Sequence, residues 1–295
     1  MQILSFKEAI QFGHVENIGK QKLILPTLGL GQSINDIQEG DFIVITARGG
    51  TGKTWLMIQM AYDLAQAGQP VGFFSGEMSV GELGLYRFSK LAEETRHLKE
   101  SDPPSKKIMA IEKMKDVPMF LPVIEDRWQF RQTCVPVMQQ MIEERGIKAF
   151  FFDHLRFFVN KAEKMNEREV VEQTVLDMRL FSKKYKTPII LAVQPKQISS
   201  DEEASIDTLK GTSAISQDAT CVMVLDRPRK KQKRTEDSES VYEPYTVLKV
   251  EKSRHAIGNK RIKIFLDYNN GKFIEWDKGG QELYQQFATL YDKQR

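Results

Sequence analysis

Eight residues, Ala47-Arg48-Gly49-Gly50-Thr51-Gly52-Lys53-Thr54, constrain the fold of this chain more than any others. They follow the apolar, β-branched run Asp41-Phe42-Ile43-Val44-Ile45-Thr46. They precede Trp55 to Ala67, where Leu56, Ile58, Met60, Ala61, Leu64 and Ala65 recur at helical spacing. Strand, glycine-rich loop and helix in that order is the context in which such a string becomes a phosphate-binding loop. Arg48, Gly49, Gly50, Thr51 and Gly52 supply backbone N–H groups that can turn inward around a phosphate chain. The helix N-terminus adds partial positive charge. Lys53 can reach terminal phosphates and the Thr54 hydroxyl can hold Mg²⁺. The first motif position is Ala47 where the general pattern has glycine; the Gly-Lys-Thr tail is intact.

At 295 residues the chain is long enough for a large core, as one α/β domain or a domain with a small appendage. No apolar run approaches the ~20 residues of a membrane-spanning helix. Met1 to Glu8 lacks the basic flank and long apolar segment of a secretion signal. Cys134 and Cys221 are the only cysteines and lie far apart, which favours a reducing, cytoplasmic compartment over a disulfide framework or zinc site. A formal net charge of +3 is too small to mark a polyanion partner, so any grip on nucleic acid falls to local basic loops.

Periodicity predicts strands alternating with helices. Strands are expected at Val71–Ser75, Ile147–Phe152 and Pro188–Val193, and helices at Val80–Arg96, Arg131–Arg145 and Glu167–Tyr185. This alternation implies a mainly parallel sheet flanked by helices. From Cys221 onward four close-set strands, Cys221–Leu225, Tyr245–Glu251, Arg261–Asp267 and Lys272–Trp276, predict an antiparallel extension. The charged segment Pro228–Ser240 reads as a hairpin loop, and Glu282–Tyr291 as a terminal helix. The expected organisation is a lead-in over 1–26 with a short amphipathic helix at 5–12, a main domain over 27–276 and a helical tail over 277–295.

Several strand ends carry polar residues where a parallel sheet gathers its ligand crevice. Glu77, in Phe73-Phe74-Ser75-Gly76-Glu77-Met78-Ser79, can deprotonate an attacking water, or it is a glutamate favoured only by a helix dipole. Asp153 closes the apolar run Ala149-Phe150-Phe151-Phe152 in the form of a Mg²⁺-holding carboxylate, or of a turn residue. Gln194 closes Pro188–Val193 and can sense a terminal phosphate, or is a polar strand end. Lys252 and Arg254 lie on the same side of an extended chain and suit a nucleotide held by a neighbouring subunit, or are surface charge.

Taken in order, these segments resemble the DnaB-type hexameric replicative helicases, including the phage primase-helicases and mitochondrial Twinkle. The alanine-led phosphate loop is common in the DnaB branch, and residues 73–79 match its catalytic-glutamate motif. Asp153-His154-Leu155 is similar to the phage and mitochondrial metal motif. Asp207 to Ala219 resembles the DNA-contacting loop and following helix, and Lys252 and Arg254 fall where the family carries its trans-acting lysine and arginine finger. Gly76, Pro195 and the long loop at 228–240 depart from the pattern. The resemblance runs from about Leu25 to Trp276. It implies a RecA-like fold, with ATP and Mg²⁺ as cofactors. Lys53, Glu77, Gln194, Lys252 and Arg254 would be catalytic, and Thr54 and Asp153 would hold the metal.

The resemblance further implies two channel-lining loops, Arg156–Arg168 and Pro195–Ser213, that grip single-stranded DNA through Arg156, Lys161, Lys164, Lys196 and Lys210. The run Arg229 to Arg234 is followed by Glu236, Asp237 and Glu239 and reads as a solvated tip rather than a DNA patch. The expectation is a motor domain without the family's N-terminal collar or primase domain, working in DNA replication as a homo-hexameric ring, phage or plasmid encoded. A helicase loader or primase is the implied partner, with no membrane. A filament-forming recombination ATPase and an ATP-switched loader or scaffold stand as alternatives.

Overall fold

The computed structural model describes residues 22–34, 36–91, 101–123, 128–159, 166–195, 204–205, 213–229, 242–256, 259–267 and 270–293. The expected lead-in helix at 5–12 and most of the 228–240 loop lie outside these residues.

Strands β1 (Lys22–Leu23) and β2 (Ile37–Gln38) form a small antiparallel pair on either side of helix α1 (Leu30–Ile34). The main sheet begins with β3 (Phe42–Ala47), which leads through the glycine loop into α2 (Lys53–Gln66) and then β4 (Val71–Ser75). Helix α3 (Pro104–Met114) and strand β5 (Met119–Phe120) come next, followed by α4 (Val135–Arg145), β6 (Ala149–Asp153), α5 (Glu167–Tyr185) and β7 (Ile189–Val193). A short helix α6 (Ser213–Asp218) introduces β8 (Cys221–Asp226), β9 (Thr246–Ser253), β10 (Lys260–Asp267) and β11 (Lys272–Glu275), and α7 (Gly280–Lys293) closes the chain.

Nine strands make the sheet in the order β11-β10-β9-β8-β3-β7-β6-β4-β5. The six from β8 to β5 are parallel, and β9, β10 and β11 add antiparallel strands beside β8. Strands β3, β6, β7 and β8 are buried at every position, as a parallel sheet covered on both faces requires. Alternation sorts their side chains into two cores. Ile43, Ile45, Phe73, Phe151 and Ile190 meet α2 on one face. Phe42, Val44, Phe74, Phe152 and Leu191 meet α4 and α5 on the other, where Phe74 stacks on Phe152 with ring centroids 4.6 Å apart.

Helix α5 occupies the residues expected from its period because its start is specified locally. The Asn166 side chain accepts from the Glu169 N–H at 3.0 Å, while Glu169 accepts from the Asn166 N–H at 3.1 Å. The expected helix at Val80–Arg96 is irregular where it is described. Glu82–Arg87 is π-helical and Phe88–Leu91 is a 3-10 turn. Gly81 and Gly84 weaken the α-helix there. Helix α3 was not expected. Its Ile108 and Ile111 are 59% and 56% exposed, so no buried apolar stripe announces it in the sequence.

The capping pair yields a test of this local logic. Asn166→Ala should cost about 1 kcal/mol of unfolding free energy and Asn166→Gly a few tenths. Chemical denaturation measures both; a loss near zero for Asn166→Ala would mean that the side-chain cap contributes nothing.

Candidate active site

The glycine loop holds a shape that few sequences allow. Gly50 and Gly52 have φ of 74° and 97°, in the left-handed region. A Cβ on Gly52 would also lie 2.7 Å from the Phe273 ring, so β11 closes one side of the loop. Lys53 and Thr54 open α2, and Leu56 N–H donates to the Gly52 carbonyl at 3.0 Å. The loop's backbone donors and the start of a 14-residue helix therefore face the same space.

That space is a cavity of about 250 Å³ lined by the loop together with Trp55, Glu77, Asp153, His154, Gln194 and Leu266. Parallel pairing explains the convergence. Strands β3, β4, β6 and β7 end side by side, and each delivers a polar residue at or just beyond its C-terminal end. Ser75 lies opposite Asp153 in register, and Gly76 N–H donates to the Asp153 carbonyl at 2.9 Å. A Cβ on Gly76 would sit 2.2 Å from Cβ of Phe157, so glycine at this position lets the Glu77 turn lie against the chain after β6.

Thr54 Oγ1 donates to Asp153 Oδ2 at 2.8 Å, and Asp153 Oδ1 is buried with no hydrogen-bond partner. A threonine hydroxyl and an under-satisfied carboxylate are hard oxygen donors that fit Mg²⁺. Among the described residues no group of three or more His, Cys, Asp or Glu could hold a metal, so phosphate oxygens and water would complete the shell. Burial raises the Asp153 pKa, opposed by the Thr54 hydrogen bond and the charge of Lys53. Burial lowers the Lys53 pKa, opposed by Asp153 and then Glu77.

Glu77 leaves 57% of its side chain in solvent, and its Oε2 lies 3.5 Å from Nδ1 of His154. His154 is buried, and burial followed by repulsion from Lys53 holds its pKa below the ordinary histidine value. Sequence reasoning gave His154 no role. It stood in Asp153-His154-Leu155, the stretch similar to the metal motif, where the role fell to Asp153. Leu266 had no signal, because it reaches the cavity from β10, more than 200 residues from the loop.

Lys252 and Arg254 sit elsewhere. Strand β9 runs antiparallel to β8, pairing Ser253 with Cys221, so its C-terminal end lies at the edge opposite the loop. Six residues of β3 at about 3.3 Å each put roughly 20 Å between the two edges. Lys252 Nζ donates to the carbonyls of Ser216 and Gln217 at 2.7 and 3.0 Å, at the end of α6. Arg254 is exposed. Of the expected DNA contacts, Arg156 is exposed on the turn after β6, while Lys161, Lys164, Lys196 and Lys210 lie outside the described residues.

A family model described as "DnaB-like helicase C terminal domain" matches residues 27–274. The chain is 25% identical over 200 residues to "Probable plasmid replicative DNA helicase" of Chlamydia psittaci, covering 65% of this chain and 43% of that one. It is 24% identical over 284 residues to "Replicative DNA helicase DnaB" of Mycoplasma genitalium, covering 88% and 58%. The chain thus spans about half the length of the curated relatives it matches. Among solved structures, "ATPase Domain of G40P" superposes with a TM-score of 0.72 at 17% identity, covering 93% of this chain and 99% of that one. "The Structure Of A DnaB-Like Replicative Helicase And Its Interactions With Primase" gives 0.72 at 16% identity, covering 92% and 67%. At these identities the structures establish a shared RecA-like fold.

The buried carboxylate generates a prediction that separates stability from chemistry. Its raised pKa means that the charged form opposes folding at neutral pH, a penalty absent below its unfolded value and incurred as pH rises through the folded one. Asp153→Asn should therefore raise the melting temperature of the ligand-free protein. It should also abolish the extra stabilisation that Mg²⁺ gives in the presence of nucleotide. A lower melting temperature would mean that the contacts with Thr54 and Lys53 outweigh burial.

Proposed function

The chain belongs to the DnaB-like helicase C-terminal domain family, and from that premise we propose that it is an ATP-driven motor that translocates on single-stranded DNA as a hexameric ring and unwinds duplex during replication of a plasmid or phage. The observation that carries this reading is the meeting of Lys53, Thr54, Glu77, Asp153 and Gln194 around one cavity, delivered by four adjacent parallel strands. Arg254, about 20 Å away at the other edge, has no route to its own cavity and suits the site of a neighbouring subunit.

In this mechanism the loop N–H groups and Lys53 cradle the β- and γ-phosphates. Mg²⁺, held by Thr54 and Asp153, would neutralise charge on the phosphate oxygens. Glu77 takes a proton from the attacking water, whose oxygen bonds to the γ-phosphorus as the bond to the bridging oxygen breaks. Its exposed carboxylate lies at the cavity lining, and His154 Nδ1 beside it limits the directions it can take. Gln194 orients the water or the γ-phosphate. Arg254 of the adjacent subunit stabilises the charge that develops during transfer, where a planar guanidinium fork is worth more than an ammonium. DNA contact falls to Arg156 and to the expected loop lysines.

The deciding measurement is ATP turnover with and without single-stranded DNA, alongside light-scattering mass. A six-fold assembly with DNA-stimulated turnover is expected. Weak turnover indifferent to DNA would favour a switched scaffold, and open filaments a recombination ATPase. Glu77→Gln should preserve nucleotide binding and lower turnover ~10²-fold or more; a loss of only a few-fold would exclude it as the base. Lys210→Ala should weaken single-strand binding with little sequence dependence and reduce the salt slope by about one. An unchanged slope would remove Lys210 from the phosphate contacts.

A further inference from the structure

Arg254 lies in a crowd of positive charge that has been sorted. Arg179 and Lys252 are the nearby cations, and burial, followed by the charge of Arg254, lowers the pKa of both. Each is spent on backbone carbonyls. Arg179 donates to Gly40 at 3.0 Å, and Lys252 to Ser216 and Gln217. Arg254 is the exposed member, and its guanidinium makes no hydrogen bond among the described residues. A cation pressed by two committed neighbours is available to an outside anion, provided that its backbone is held still.

The backbone is held from three directions. Arg254 N–H donates to the Thr220 carbonyl at 2.9 Å. Thr220 is bonded in turn to the first residue of β3: its N–H and hydroxyl donate to the Phe42 carbonyl at 2.7 and 3.1 Å, and its hydroxyl oxygen accepts from the Phe42 N–H at 3.0 Å. Ser253 Oγ accepts from the N–H groups of His255 at 3.4 Å and Ala256 at 3.2 Å, closing a tight turn around Arg254. The third tie is a side-chain one. His255 Nε2 lies 2.9 Å from Oδ1 of Asp41, and since an ionised carboxylate only accepts, the ring nitrogen donates.

Asp41 is a rigid anchor. Its side chain is 5% exposed, its Oδ2 accepts from the Gln38 N–H at 2.8 Å, and its carbonyl accepts from the Ile189 N–H at 3.0 Å. Asp41 directly precedes β3, whose far end is the phosphate loop. The turn that presents Arg254 is thus clamped to the strand that carries the subunit's own nucleotide loop.

We propose that His255, through its bond to Asp41, is a positioning residue that aims Arg254 at the nucleotide of the adjacent subunit. It touches neither nucleotide nor metal and acts only on the orientation of the residue before it. This inference rests on the trans-acting reading of Arg254 given above and names what makes that action geometrically reliable. Loss of the clamp leaves the arginine charged and present but aimed over a wider range. Misplacement of a reacting group by about 1 Å can cost up to ~10²-fold in rate.

The test uses the full chain and finger donation between subunits. His255→Ala should lower kcat roughly 10-fold, with nucleotide affinity and melting temperature close to those of the parent. His255→Gln, which keeps an N–H that can reach Asp41, should recover most of the rate. The readout that a merely structural role would not move is mixing. Donor subunits carrying Lys53→Ala have no productive pocket but still present Arg254, and recipients carrying Arg254→Ala have a pocket without a finger. With exchange confirmed by labelled subunits, donors that also carry His255→Ala should restore about one-tenth of the turnover restored by donors with His255 intact. Equal restoration by the two donors overturns the positioning role alone. Parental turnover by the Arg254→Ala variant on its own overturns the trans-acting reading, and this proposal with it.

Discussion

Strand Phe42–Ala47 is buried along its whole length, between two parallel neighbours and beneath helices on both faces. A strand in that position carries little polar chemistry along its body: Phe42, Ile43, Val44, Ile45 and Ala47 pack in one core or the other, and Thr46, next to its C-terminal end, is its one polar residue. Polar function is confined to its ends. One end opens into the glycine loop and α2. The other begins at Asp41, whose carboxylate is divided between the Gln38 N–H and the His255 ring. The cavity and the exposed Arg254 lie at opposite ends of this strand's length, roughly 20 Å apart.

Around the cavity the protein keeps charges that folding alone would not favour. Burial acts against the charged forms of Lys53, Asp153 and His154, and the attractions among Lys53, Asp153 and Glu77 only partly offset it. Asp153 Oδ1 and His154 Nε2 are buried without partners, each a lasting cost in a ligand-free protein. Such costs are usual where a site is shaped for an ionic ligand rather than for stability. A polyphosphate with its divalent cation has the charges that these groups lack.

Much of this was legible in the chain. The fully apolar runs around Val44, Phe151 and Leu191 marked buried parallel strands. The acid ending the Phe151 run and the amide after the Leu191 run marked the crevice, because a polar group at the end of a buried strand must reach either solvent or a ligand. The glycine loop placed Lys53 and Thr54 without help. Helix α3 was not legible, because Ile108 and Ile111 face solvent and leave no buried period. The irregular turns at Glu82–Leu91 were hidden because a helix weakened by Gly81 and Gly84 takes its final form from what packs on it.

The sequence by itself determined which groups the site contains, because the chemistry of a phosphate loop, a terminal aspartate and a strand-end glutamate is written in contiguous residues whose spacing is local. Only the tertiary structure decided how those groups are aimed. The donation from Gly76 to Asp153 joins residues 77 positions apart, and the His255–Asp41 contact joins residues 214 apart. The approach of Phe273 to Gly52 and of Leu266 to the cavity likewise depends on β10 and β11 folding back over the loop. No local propensity encodes such meetings. They exist because a twisted, doubly covered sheet leaves one arrangement in which both cores are filled.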